Sequence, residues 1–103
     1  MTIPFTQYHL PNGRRSLTEF ETDSAAIDAL AEKIIEAGGR FEMEILRTGE
    51  VSITCAAQVP DETNPGETYE ADIAISLCRN EYGFLKTAVE HVVAKAAVRL
   101  GLK

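Results

Sequence analysis

The sequence predicts one α+β domain over residues 1–103: a two-layer sandwich whose antiparallel sheet, a hairpin plus a three-strand meander, is covered on one face by two helices in the order ββαβββα. Three patterns support this. Apolar side chains alternate with polar ones through residues 41–45, again through Val51, Ile53, Cys55, Ala57 and Val59, and again through residues 69–77. Successive strand side chains point to opposite faces, so these runs describe one meander with an apolar and a polar face. Ile27, Leu30, Ala31 and Ile34 recur at three and four residues, and Leu85, Ala88, Val89, Val92, Val93, Ala96, Ala97 and Leu100 do so over a wider arc. These make two amphipathic helices to cover the apolar face.

Taken in order, residues 3–10 have extended character, and Pro11-Asn12-Gly13 is a turn signal because Asn-Gly tolerates positive φ at little cost. Residues 15–21 return as a second strand. Leu17 and Phe20 have opposite parity there, which predicts a bulge or an edge position. Asp23 or Ser24 caps the first helix by accepting from a free first-turn amide, with Asp28, Glu32, Lys33 and Glu36 off its apolar stripe. Gly38-Gly39 stops it, Gly38 as the left-handed cap. After the second meander strand, residues 60–67 form an acidic loop with two prolines, expected to stay outside the ladder and move in solvent. Asn80 caps a second helix that runs to Leu100, with Gly101 as stop.

A chain of 103 residues with 45% hydrophobic and 25% charged residues is large and apolar enough to bury a core without metal or disulfide support. Its net charge of −6 repels a nucleic-acid backbone or an anionic membrane, and Arg14-Arg15 is too small a cluster to reverse that. No apolar run reaches the roughly 20 residues of a membrane span, and the first residues lack a basic stretch followed by an apolar one. A cytoplasmic protein is expected. Cys55 takes the inward parity of its strand and Cys78 the outward, so the pair is poorly placed for a disulfide.

The outward parity of the meander collects Glu42, Glu44, Glu70 and Asp72, with Ser52, Thr54, Gln58 and Ser76 between them. This acidic, flat surface either docks on a basic patch of another protein or is simply a solvated face. Its carboxylates match no EF-hand or other metal pattern, so no metal is expected. Cys78, just before a helix start and beside Arg79, is in a setting that favours a thiolate and is the best nucleophile present. His91 lies about 15 Å further along that helix and cannot serve it as a base; His9 is not excluded. No Walker loop, dinucleotide fingerprint, paired-cysteine zinc pattern, HExxH or nucleophile elbow occurs, so no catalytic residue and no cofactor are assigned.

Residues 24–100, helix-strand-strand-strand-helix, resemble double-stranded-RNA-binding domains in topology. The lysine-rich start of the last helix in those domains is replaced here by Asn80-Glu81-Tyr82-Gly83-Phe84, so RNA binding does not carry over. With one early strand included, the order is also similar to ribosome-hibernation factors, whose basic helices are missing here. Tyr8-His-Leu-Pro-Asn-Gly-Arg-Arg15 and Glu36-Ala-Gly-Gly-Arg-Phe-Glu-Met-Glu-Ile-Leu-Arg-Thr-Gly-Glu-Val-Ser-Ile-Thr54 resemble small phage- and prophage-borne α+β proteins. That resemblance implies a cytosolic binder of a host or phage macromolecule, some such proteins inhibiting defence complexes through acidic surfaces.

The expected function is thus non-enzymatic protein binding, inhibitor-like, through Glu42, Glu44, Glu70 and Asp72, without direct nucleic-acid or membrane contact. The alternative is a homodimeric module that pairs the wide arc of the last helix, with Phe5, Tyr8 and Phe20 available to the same surface. A third reading is a small thiol enzyme using Cys78.

Overall fold

The structure is a computed structural model that describes residues 2–9 and 13–102. Strands β1 (Ile3–His9) and β2 (Arg14–Phe20) precede helix α1 (Ala25–Glu36); β3 (Arg40–Ile45), β4 (Val51–Pro60) and β5 (Thr68–Leu77) follow, then a 3₁₀ segment (Arg79–Phe84) and helix α2 (Leu85–Arg99). Two layers result, a sheet and a pair of helices, as the alternation and the two apolar stripes require.

The sheet itself departs from expectation. Its spatial order is β2-β1-β3-β4-β5, so the strands do not lie in the order written along the chain. Residues 6–9 of β1 run parallel to residues 42–45 of β3, while the other three pairings are antiparallel. The sheet is mixed, not antiparallel. The reason lies in what each early strand can bury. Ile3 and Phe5 of β1 are fully buried in the core under the helices, whereas Arg15, Ser16, Leu17 and Glu19 of β2 are exposed, which suits an edge strand. After β2 the chain therefore crosses the helical side of the sheet as α1 and lays β3 on the free flank of β1. The β1–β2 ladder runs from Ile3↔Phe20 to His9↔Arg14 without a bulge, and edge placement alone accommodates Leu17 and Phe20 on opposite faces. The turn expected at Pro11-Asn12, with Leu10, lies outside the described residues; Gly13 donates to the His9 carbonyl at 2.9 Å with φ of 69°.

The covered face carries the core. Ile3, Phe5, Phe41, Met43, Val51, Ile53, Cys55, Ile73 and Leu77 meet Ala31 and Ile34 of α1 and Ala88, Val89, Val92, Val93, Ala96 and Ala97 of α2. Phe5 stacks between Phe41 and Phe20, with ring centroids at 5.5 and 6.1 Å. The wide arc of α2 and the aromatics Phe5 and Phe20 are thus consumed inside one chain. They are not free for the two-fold pairing that the alternative reading requires.

Both helices end in the same way. Behind the C-cap Ala37 of α1, Gly38 (φ 93°) donates to Ile35 O and Gly39 to Ile34 O, each at 2.9 Å. Behind Leu100 of α2, Gly101 (φ 71°) donates to Val98 O at 3.1 Å and Leu102 to Ala97 O at 2.8 Å. Two Schellman closures satisfy carbonyls that would otherwise be orphaned. A side chain on Gly39 would put its Cβ 2.6 Å from Ile34 Cγ2, so this position is small for packing as well.

The starts differ from expectation. Ser24 does cap α1, its Oγ accepting from Ile27 N at 3.2 Å, but Asp28 is buried, its Oδ1 accepting from Thr22 Oγ1 at 2.7 Å. Asn80 does not cap an α-helix. Cys78 opens the 3₁₀ segment instead, with Glu81 Oε1 accepting from Cys78 N at 2.7 Å, and the Tyr82 hydroxyl donates to the Gly49 carbonyl in the β3–β4 turn. That tether and Gly83 hold the α-helical register back to Leu85. Pro60 also joins the ladder, opposite Thr68, against the expectation for the acidic loop. Among the described residues neither helix is long and apolar enough to cross a membrane.

Ile53, fully buried, and Leu17, 83% exposed, are both aliphatic strand residues and give opposite outcomes on truncation. In urea unfolding, Ile53→Ala is expected to lose about 2–5 kcal/mol and Leu17→Ala less than about 0.5 kcal/mol. Gly39→Ala is expected to lose about 1–3 kcal/mol by overpacking against Ile34.

Candidate docking face

Both helices lie on one side of the sheet, which leaves the other side of all five strands uncovered. Direct cross-strand partners share a face, so the ladder registers place its residues in rows. One row runs Leu17, Thr6, Glu42, Thr54, Ala74; the next runs Arg15, Tyr8, Glu44, Ser52, Ser76; a third carries Arg40, Ala56 and Asp72, with Gln58 and Glu70 beyond it. On this face β3, the middle strand, presents Arg40, Glu42 and Glu44, and its neighbour β4 presents the small side chains of Ser52, Thr54 and Ala56. All four carboxylates read from the sequence, Glu42, Glu44, Glu70 and Asp72, are on it.

Their states are not alike. Arg40 Nη2 reaches across β4 to Glu70 Oε1 at 2.7 Å, over Ala56, which is only 1% exposed. The Glu70 hydrogen bond and then its charge hold the Arg40 guanidinium above its ordinary range. Glu42 Oε2 accepts from the Tyr8 hydroxyl at 3.0 Å. Among the described residues Glu44 and Asp72 take part in no side-chain hydrogen bond or ion pair, and both are exposed. Two of the four carboxylates are therefore committed within the chain and two are open to a partner. Tyr8 reaches Glu42 only because β1 lies beside β3, which the sequence did not indicate, whereas Arg40–Glu70 spans the meander and depends on its register. Leu17, the most exposed large hydrophobic residue, also lies on this face at its β2 edge. Its odd parity was its one trace in the sequence.

The acidic loop has its own organisation. Asp61 Oδ1 accepts from Thr63 N at 2.9 Å and Thr63 Oγ1 at 2.7 Å, and Oδ2 accepts from Asn64 Nδ2 at 3.1 Å. These donors, Asn64 first, hold the Asp61 carboxyl below its ordinary range. Asp61 N to Glu67 O at 2.9 Å closes the loop, which is hydrogen-bonded within itself and not a free strand of chain. Among the described residues no three His, Cys, Asp or Glu side chains come together to hold a metal ion.

Cys78 is exposed and free, but its setting is the reverse of the one expected. The Glu81 side chain, by hydrogen bond and then by charge, raises the thiol above its ordinary value, which disfavours the thiolate despite Arg79. Among the described residues neither histidine is hydrogen-bonded to it; His9 Nε2 lies 3.3 Å from Gln7 Nε2 instead. Cys55 is buried among apolar side chains, and that burial pushes its thiol up to about 11. Comparison with protein-family models, with curated proteins and with solved structures found no match to this chain.

Under native conditions near pH 8, one thiol, Cys78, is expected to react with iodoacetamide, and Cys55 only after unfolding. Glu81→Gln keeps an acceptor for Cys78 N but removes the charge, so alkylation of Cys78 at that pH is expected to be faster than in the native chain. Mass spectrometry of the alkylated peptides reads both outcomes.

Proposed function

We propose that this protein is a non-enzymatic binding module that lays its open sheet face on a basic site of another protein and occludes it, in the manner of an inhibitor. The observation that supports this reading is the division of the carboxylates. Arg40–Glu70 and Tyr8–Glu42 brace the face from within, while among the described residues Glu44 and Asp72 make no ion pair or side-chain hydrogen bond and stand exposed beside the small side chains of Ser52, Thr54 and Ala74. A flat surface with fixed negative charge steers a basic partner into place and selects it over acidic ones. Exposed Leu17 supplies an apolar contact at one end of the same surface. An occluding role agrees with the one implied by the resemblance to phage- and prophage-borne proteins, and two free cysteines suit the reducing cytoplasm.

The test separates the face from net charge. Glu44→Lys/Asp72→Lys changes the open face, whereas Glu32→Lys/Glu36→Lys makes the same change in charge on the exposed side of α1. Affinity capture from bacterial lysate is expected to yield a species held by the native chain and the α1 variant, lost with the face variant, and released as salt rises and the screening length falls below about 10 Å. Retention of the same material by all three proteins overturns the reading.

A further inference from the structure

The two edges of the sheet are not equivalent. β2 is short, and its outer face carries Arg15, Leu17 and Glu19. β5 is a ten-residue edge whose ladder with β4 runs from Thr68↔Pro60 to Leu77↔Val51 without a bulge, and it contains neither lysine nor proline. Alternate residues of such a strand direct N–H and C=O away from the sheet, and a long, regular edge whose only charges are Glu70 and Asp72 near its start is a template for another strand in any register that keeps those two carboxylates apart. Its helix-facing side is also incompletely covered. Ile73 and Leu77 are buried, but Ala71 and Ile75 are half-buried, Tyr69 is 46% exposed, and Val98 of α2, which shares a groove of about 610 Å³ with Tyr69, is 61% exposed.

We propose that β5 pairs antiparallel with β5 of a second copy of this chain, about a two-fold axis through Ile73. The register follows from charge together with the length of strand paired, because, of the axes that keep carboxylates apart, the one at Ile73 pairs the most residues, 69–77. Opposed residues in an antiparallel pair share a face, so the axis must pass through a residue. An axis at Ala71 sets Glu70 against Asp72 of the second copy, and an axis at Asp72 sets that carboxylate against its own copy. Centred on Ile73, Asp72 meets Ala74 and Glu70 meets Ser76 on the open face, while Tyr69 meets Leu77, Ala71 meets Ile75 and Ile73 meets Ile73 on the helix side. The apolar and polar sets of the strand are thus each matched to themselves over its whole length. Because the axis stands perpendicular to the sheet, both open faces end on the same side of one ten-stranded sheet. This dimer forms whether or not the open face docks a partner.

Ala74 is exposed and opposes Asp72 of the second copy, so one position tests the register with both signs. Sedimentation equilibrium over a wide concentration range is expected to show a reversible dimer. Ala74→Asp places like charges opposite twice per dimer and weakens it by about fivefold or more; Ala74→Lys places opposite charges there and strengthens it by a similar factor. Circular dichroism of both variants, expected to match the native chain, excludes misfolding as the cause. A native chain that is monomeric at every concentration overturns the proposal. So does a dimer that responds to neither variant or to both in the same direction.

Discussion

One-sided burial is the constraint from which the rest of the structure follows. The inward parity of β3, β4 and β5, joined by Ile3 and Phe5 of β1, meets the apolar sides of α1 and α2, and the largest of these side chains lose all contact with water. Each such residue contributes about 1.5–3 kcal/mol on burial, so no other interaction in the chain approaches their sum. The exposed ion pairs Arg40–Glu70 and Lys86–Asp23 are worth little by comparison. Two helices suffice to cover one face of five strands, and none remains for the other. The open face is therefore a direct consequence of how the apolar residues are spent.

With the core on one side, the outer side became free to carry charge, and the fold decides which of that charge is usable. Arg40 lies between two rows of carboxylates and satisfies one of them; Tyr8, brought beside β3 by the parallel pairing, satisfies another. The same geometry that makes β1 an interior strand thus braces the face near Glu42, and among the described residues Glu44 and Asp72 are left without an ion-pair or hydrogen-bond partner. At the far edge, β5 combines a straight ladder with an apolar flank that α2 covers only in part, which makes the edge of the sheet as much a surface for recognition as its face.

The closures of the chain show how local chemistry serves this arrangement. Both helices close on a glycine; at the end of α1 this returns the chain sharply to the sheet, and there the second glycine is required by the closeness of Ile34. The 3₁₀ segment, tied by Tyr82 to the β3–β4 turn and by Glu81 to the amide of Cys78, delays α2 so that its apolar arc lands over β4 and β5. In doing so it places a carboxylate beside Cys78, and this contact disfavours the thiolate that sequence position alone favours.

The sequence by itself determined the element types, the inward and outward parities of the meander, the left-handed glycine caps and the gathering of four carboxylates on one face. All of these depend on spacings of two to four residues and on the local steric freedom of glycine. Only the tertiary structure decided that β1 lies between β2 and β3, that the sheet is mixed, that Asp28 is buried, and that the carboxylates divide into committed and open pairs. Each of these depends on contacts between residues far apart in the chain. Alternation states which side of a strand is apolar but not which strand lies beside it, because a strand's two edges present the same backbone groups whatever its side chains. The choice between neighbours is made by the total apolar area buried, a property of the assembled layers that no single segment carries.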